Sequence, residues 1–190
     1  KGKLCIRSGQ HPYNTALLAA YIAHHGEAKA EEWAQGLKAN LARKPGGGDR
    51  DVARDILGGL CQIGLGNSYY VGLMRSGKAG PDQKAWGEGI DVVMAKFADG
   101  GTHVNASGAA IAKNARHPEE ARKLIAFLLS EEGQTLYAGQ DFEYPVVAGV
   151  AADPITQALG ALKPDGLKLA EIAKHRQTAS RIFDKVGFDR

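Results

Sequence analysis

The chain has 190 residues, 44% hydrophobic and 24% charged, a composition that excludes intrinsic disorder and is long enough for the core of one or two domains. Its 24 basic and 21 acidic residues are mixed along the sequence and leave a net charge of +3, so there is no dense basic tract of the kind that binds nucleic acid. No apolar run approaches the ~18 residues of a membrane span.

The chain opens in mid-structure: KGKLCIRSG reads as a buried strand from its first residues, as expected of a fragment or a domain cut from something longer. Residues 14–25 place Leu17, Leu18, Tyr21 and Ile22 on one face, and Gly26 ends that helix. A second helix over about 29–43 stops at RKPGGGD, where Pro45 and three glycines cannot continue it. Asp49 has the position of an N-cap for a short helix through Leu57. A strand over 60–65, the pair Tyr69 and Tyr70, and a helix over about 69–76 follow. GIDVVMA and THVNASGAAIA read as further strands. HPEEARKLIAFLLSEEGQTLYA reads as one long helix, with Pro118 and two glutamates in its first turn and Leu124, Ile125, Leu128 and Leu129 as its apolar face. A last amphipathic helix runs from about Leu167 to Val186. Strands alternating with helices predict an α/β fold, a mixed, mostly parallel sheet flanked by helices.

The two cysteines, Cys5 and Cys61, each lie inside a short apolar run. Neighbouring parallel strands would set the sulfurs face to face, in an oxidising compartment; two buried free thiols fit the spacing equally. Two thiols are too few for a zinc site.

In a parallel sheet the loops at the carboxyl ends of the strands hold ligands. Two loops qualify, SGQHPYN after the first strand and GNSYY after residue 65, and both carry tyrosine: Tyr13 in one, Tyr69 and Tyr70 in the other. Adjacent side chains on a helix diverge by roughly 100°, so one of the pair is hard to bury in a single core. Three phenols converging on one sheet edge suit a trivalent cation. Free tyrosine titrates near ~10, and a strongly charged ion is what displaces the proton at neutral pH. Three phenolates would neutralise a ferric ion and disfavour its ferrous form. The plainer alternative is packing tyrosines with satisfied hydroxyls.

The other candidates carry less. His24 and His25 sit at a helix end, where imidazole suits the dipole. His11 is near enough to Tyr13 to orient a ligand or anion, or is an ordinary loop histidine. His103 reads as a hydrogen-bonded core or hinge residue, and Arg7 as the partner of a carboxylate across the sheet or of a bound anion. PGGGD lacks the lysine and the strand-to-helix context of a phosphate loop. An enzyme with a tyrosine nucleophile would need an acid or base partner, and no such constellation is visible. A solute-binding module for a small organic ligand or anion is the remaining alternative.

KLCIRSGQHPYN, LARKPGGGDRDVARDI, CQIGLGNSYYVGL, GTHVNASGAAI and EYPVV stand in the order and spacing of the bacterial periplasmic ferric-ion-binding proteins, the solute-binding components of iron ABC importers, and the chain resembles their three-tyrosine subgroup. The resemblance implies a type II periplasmic-binding-protein-like fold, with Tyr13, Tyr69 and Tyr70 as ligands of Fe3+. Asn67 and Asp49 would lie around the metal or a synergistic anion such as carbonate, and His11, from its nearness to Tyr13, is the further candidate there. The resemblance favours a disulfide between Cys5 and Cys61 and implies a periplasmic location and transient docking on an inner-membrane ABC permease, with no catalytic role. It also implies two lobes, with residues 1–102 and 146–190 forming the second. Residues 103–145 would return to a first lobe, most of which, with any ligands it contributes, lies upstream of this chain.

Overall fold

The computed structural model describes residues 1–98 and 100–190. Two short parallel strands, β1 (Leu4–Cys5) and β2 (Ile63–Gly64), pair Leu4 with Ile63 and Cys5 with Gly64. Around them stand α1 (Pro12–His25), α2 (Glu27–Ala39), α3 (Asp49–Leu57), α4 (Ser68–Arg75), α5 (Pro81–Glu88), α6 (Pro118–Leu128), α7 (Glu131–Asp141), α8 (Pro154–Gln157) and α9 (Leu169–Val186). The fold is rich in helix around a small parallel sheet, rather than the larger sheet that the apolar runs suggest. Neither GIDVVMA nor THVNASGAAIA forms a strand; Thr102 makes only an isolated bridge to Pro164. Extended apolar residues become a strand only when a neighbouring chain takes their backbone groups, and local alternation cannot supply that neighbour.

Three further boundaries move for identifiable reasons. The second helix ends at Ala39 because Asn40 caps it, and Leu41 then bridges Leu4 on the open side of β1. Gly48, not Asp49, is the N-cap of α3; its N–H donates to Asp51 Oδ2 at 2.8 Å, and Asp49 occupies the first helical position with its side chain turned inward. The single helix expected over 117–138 is two. Ser130 accepts from the Gly133 N–H at 3.1 Å and so caps α7, with Glu131 and Glu132 in its first turn. Helix α5 was not expected as a separate element; Trp86 within it lies 6.0 Å from the Arg54 guanidinium of α3.

The main core lies between α1, α2 and α9, where Leu18, Ile22, Ala30, Ala34, Ile182 and Phe183 are buried together. The alanines let the helix axes approach closely, and Trp33 stacks on Tyr21 with ring centroids 4.7 Å apart. At Gly9 the chain leaving β1 passes directly over Phe183 and Phe188; a Cβ there would come within 2.9 Å of Phe183 and 2.8 Å of Phe188. That passage sets where α1 begins, and with it Tyr13. A second cluster packs Val52 of α3 on Cys5 and Cys61, which are joined as a disulfide across 56 residues of chain. Both cysteines are buried, and the choice left open by their spacing falls to the bridge. No helix is long and apolar enough to cross a membrane among the described residues.

Candidate metal centre

Each of the two short strands delivers one loop to one helix at the same sheet edge. After β1, His11 caps α1, Pro12 opens it with the fixed φ suited to that position, and Tyr13 comes next. After β2, Asn67 caps α4, and Tyr69 and Tyr70 occupy its first turn. The hydroxyls of Tyr13 and Tyr69 meet at 3.0 Å, and the rings of Tyr69 and Tyr70 stack with centroids 4.2 Å apart. Neither neighbour is driven into a core: both are half-buried on a helix start that opens outward. The phenols thus stand on the first turns of two helices, whose N-terminal partial positive charge favours anionic oxygen there.

Around the phenols lies a connected polar frame. Arg7 donates to Asp49 Oδ1 at 3.0 Å and holds its guanidinium 5.3 Å from the Tyr13 ring. Asp49 Oδ2 accepts from both the backbone N–H of Asn67, at 2.7 Å, and its side-chain amide, at 3.0 Å. Arg50 lies 5.9 Å from the Tyr70 ring. His11 Nδ1 accepts from the Tyr13 N–H at 3.3 Å, and its ring packs on Tyr13 at 4.5 Å. Burial and the nearby Arg7 charge lower the His11 pKa against a smaller opposing pull from Asp49, which suits a neutral, accepting ring.

The structure thus brings Tyr13, Tyr69 and Tyr70 to one place, with Asn67, Asp49 and His11 beside them. Arg7 takes the carboxylate expected of it. His103 differs: both ring nitrogens are buried with no well-formed hydrogen bond, and burial lowers its pKa against smaller opposing pulls from the nearby Asn105 and Asp165. His24, which sequence assigned to the helix dipole, pairs with Asp165 Oδ2 at 3.0 Å and packs on Phe97 at 4.4 Å. Asn105 went unnoticed. Its amide donates to Asn67 Oδ1 at 2.9 Å, from a segment whose apolar alternation disguised it as a strand.

Among the described residues no three His, Cys, Asp or Glu side chains are placed to share a metal. Oxygen from phenols is therefore the donor set on offer, one that fits a hard, highly charged cation. Partial burial first, then the hydrogen bonding shared with Tyr13 and Tyr70, pushes the Tyr69 phenol well above its ordinary value. Without a cation Tyr69 therefore keeps its proton at neutral pH. The folded phenol holds its proton more tightly than the unfolded one, so its contribution to stability is complete below about pH 10 and is lost as the pH rises beyond it. Alkaline titration of phenolate absorbance, compared with that of Tyr69→Phe, should show the Tyr69 phenol ionising at higher pH in the folded chain than in the unfolded one; ionisation at the same pH in both would contradict this.

Residues 1–163 match a family described as bacterial extracellular solute-binding protein. The chain is 35% identical over 190 residues to iron uptake protein A2 of Synechocystis, covering 99% of this chain and 55% of that protein. Among solved structures, a Bordetella ferric binding protein superposes with a TM-score of 0.92 at 60% identity, covering all of this chain and 60% of that one. A Trichodesmium protein, IdiA (FutA), in complex with iron and citrate, gives 0.92 at 36% identity over 99% of this chain and 59% of its own. These likenesses establish the type II periplasmic-binding-protein-like fold. The chain spans about half the length of the curated relatives it matches.

Proposed function

The chain belongs to the bacterial extracellular solute-binding protein family, and we propose that it carries the tyrosine half of a ferric-ion site in an iron importer's periplasmic component. The observation that carries the reading is the meeting of Tyr13 and Tyr69 at 3.0 Å with Tyr70 stacked alongside. Phenols in that arrangement gain little from one another in water. Around a trivalent cation they become three anionic ligands that offset its charge. Each bound ion releases the protons its ligands held, so affinity rises with pH. Iron is cargo here: ligands that leave positions for an anion such as carbonate let it be released to a permease. The ferric, iron-uptake and citrate-bearing relatives support the same cargo.

The same reading makes residues 1–102 and 146–190 one lobe and sends 103–145 to another. In its support, the buried clusters draw on α1, α2, α3 and α9, while α6 has no buried residue and leaves Leu124 and Phe127 exposed. Closure of two lobes on the ion would be the working motion.

A small organic anion is the second reading. A cleft of about 300 Å³ beside Tyr13 is lined by Asn105, Ile172 and Arg176, with no carboxylate on its wall among the described residues. Titrating the chain with ferric citrate separates the two. Ferric phenolates absorb visible light, so an orange to red colour saturating at one iron per chain is expected. Binding of citrate as tightly without iron, and no colour with it, would replace the ferric reading with the anion one.

A further inference from the structure

Asp49 is an unusual neighbour for a cation site: its carboxylate is almost wholly buried, with a side-chain exposure of 2%, and it is directed at the protein rather than at the phenols' open side. One oxygen takes Arg7, the other takes both N–H groups of Asn67. Gly66 makes room for it, since a Cβ there would stand 3.3 Å from the Asp49 Cβ. Each of its partners touches a phenol-bearing element. Arg7 ends the run from β1 and lies against the Tyr13 ring, and Asn67 is the residue from which α4 and its tyrosine pair start. Asn67 Oδ1, in turn, receives Asn105 from the extended segment after Thr102.

We propose that Asp49 is a positioning residue that serves as the site's internal anion, locking Arg7 and Asn67 and so holding Tyr13, Tyr69 and Tyr70 in register; this rests on the ferric reading above. The backbone N–H of Asn67 and one side-chain N–H are already engaged by Asp49, so they are not the donors that hold an anion accompanying the metal. The link to Asn105 ties the phenol pair to the segment 102–112, so that any shift of that segment is felt at the start of α4. Removing the carboxylate leaves Arg7, whose Nε already has no partner, with its NH1 bond to Asp49 lost as well. It also frees both N–H groups of Asn67. A buried guanidinium and two converging donors in an emptied space are what a small carboxylate fills.

The test uses the 190-residue chain with ferric citrate, and its readouts are the visible phenolate band, iron affinity and helix content. Asp49→Ala should lower ferric affinity by about 10- to 100-fold, the usual consequence of losing a ligand's supporting partner. Its absorbance per bound iron should fall as a phenolate drops away. Added formate should restore most of the affinity and the band. Asp49→Asn, which keeps the shape and leaves folding least disturbed, should lower affinity by about tenfold without responding to formate. Coloured wild-type protein with an unchanged Asp49→Asn overturns the proposal alone. So does a loss in Asp49→Ala that tracks lost helix content and ignores formate. A colourless wild-type chain overturns the ferric reading and this proposal with it.

Discussion

Replacing Tyr69 and Tyr70 together by phenylalanine abolishes the ferric colour of the chain and leaves its helices in place. The two substitutions delete only hydroxyl oxygens. Both rings sit half-buried on the first turn of α4, so their stacking at 4.2 Å and their packing survive. The hydrogen bonds lost, Tyr13 with Tyr69 at 3.0 Å and Tyr69 with Tyr70, are worth about 1 kcal/mol each and are partly exposed, which keeps the change in stability small. What disappears is two of three anionic ligands. The remaining phenol cannot balance a trivalent charge, and affinity falls by more than the roughly 10- to 100-fold expected of a supporting residue. Absorbance titration and a thermal melt on the same sample decide the matter. Undiminished colour in the double variant would leave the metal without the ligands assigned to it.

Loss of the Cys5–Cys61 disulfide is expected to cost the chain about 4 kcal/mol, the loop-closure entropy for the 56 residues it spans. Total stability for a domain of this kind is roughly 5–15 kcal/mol, so the loss is a large part of it. The effect should also reach the site, because the bridge joins β1 to a point two residues before β2 and these strands carry the two phenol loops. Each strand is two residues long, and so short a ladder fixes the register of two loops poorly unless it is stapled. Denaturant titration of Cys5→Ser/Cys61→Ser should show the lower midpoint, with ferric affinity reduced in parallel. A shift of less than about 1 kcal/mol would mean that the packing of Val52 and Ile56 around the sulfurs, not the covalent bond, holds the strands together. A bridge of this weight suits an oxidising compartment such as the proposed periplasm.

Much of the site is written locally. HPYN announces a helix start with proline in its first position, and GNSYY places two phenols on another helix start, so local sequence already sets Tyr13, Tyr69 and Tyr70 on one sheet edge. The parallel pairing of their strands follows from the alternation of strand and helix. The partners of the frame are another matter. Asp49 looks like a cap because aspartate before a helix usually is one; its inward turn depends on Arg7, 42 residues earlier, and Asn67, 18 later. Asn105 and the extended segment around it carry no local sign of their contacts. Ser130 illustrates a different failure, since a serine followed by two glutamates is a start signal that a continuous apolar stripe can mask. His103, whose ring nitrogens lie inside with no well-formed hydrogen bond, could not have been told from a satisfied core histidine by spacing.

An anomalous-scattering map at the iron absorption edge, on crystals of the iron-loaded chain, goes most directly to the central claim. The account predicts a single peak within bonding distance of the hydroxyl oxygens of Tyr13, Tyr69 and Tyr70. A peak bound elsewhere, with those three oxygens turned away from any common point, would contradict it.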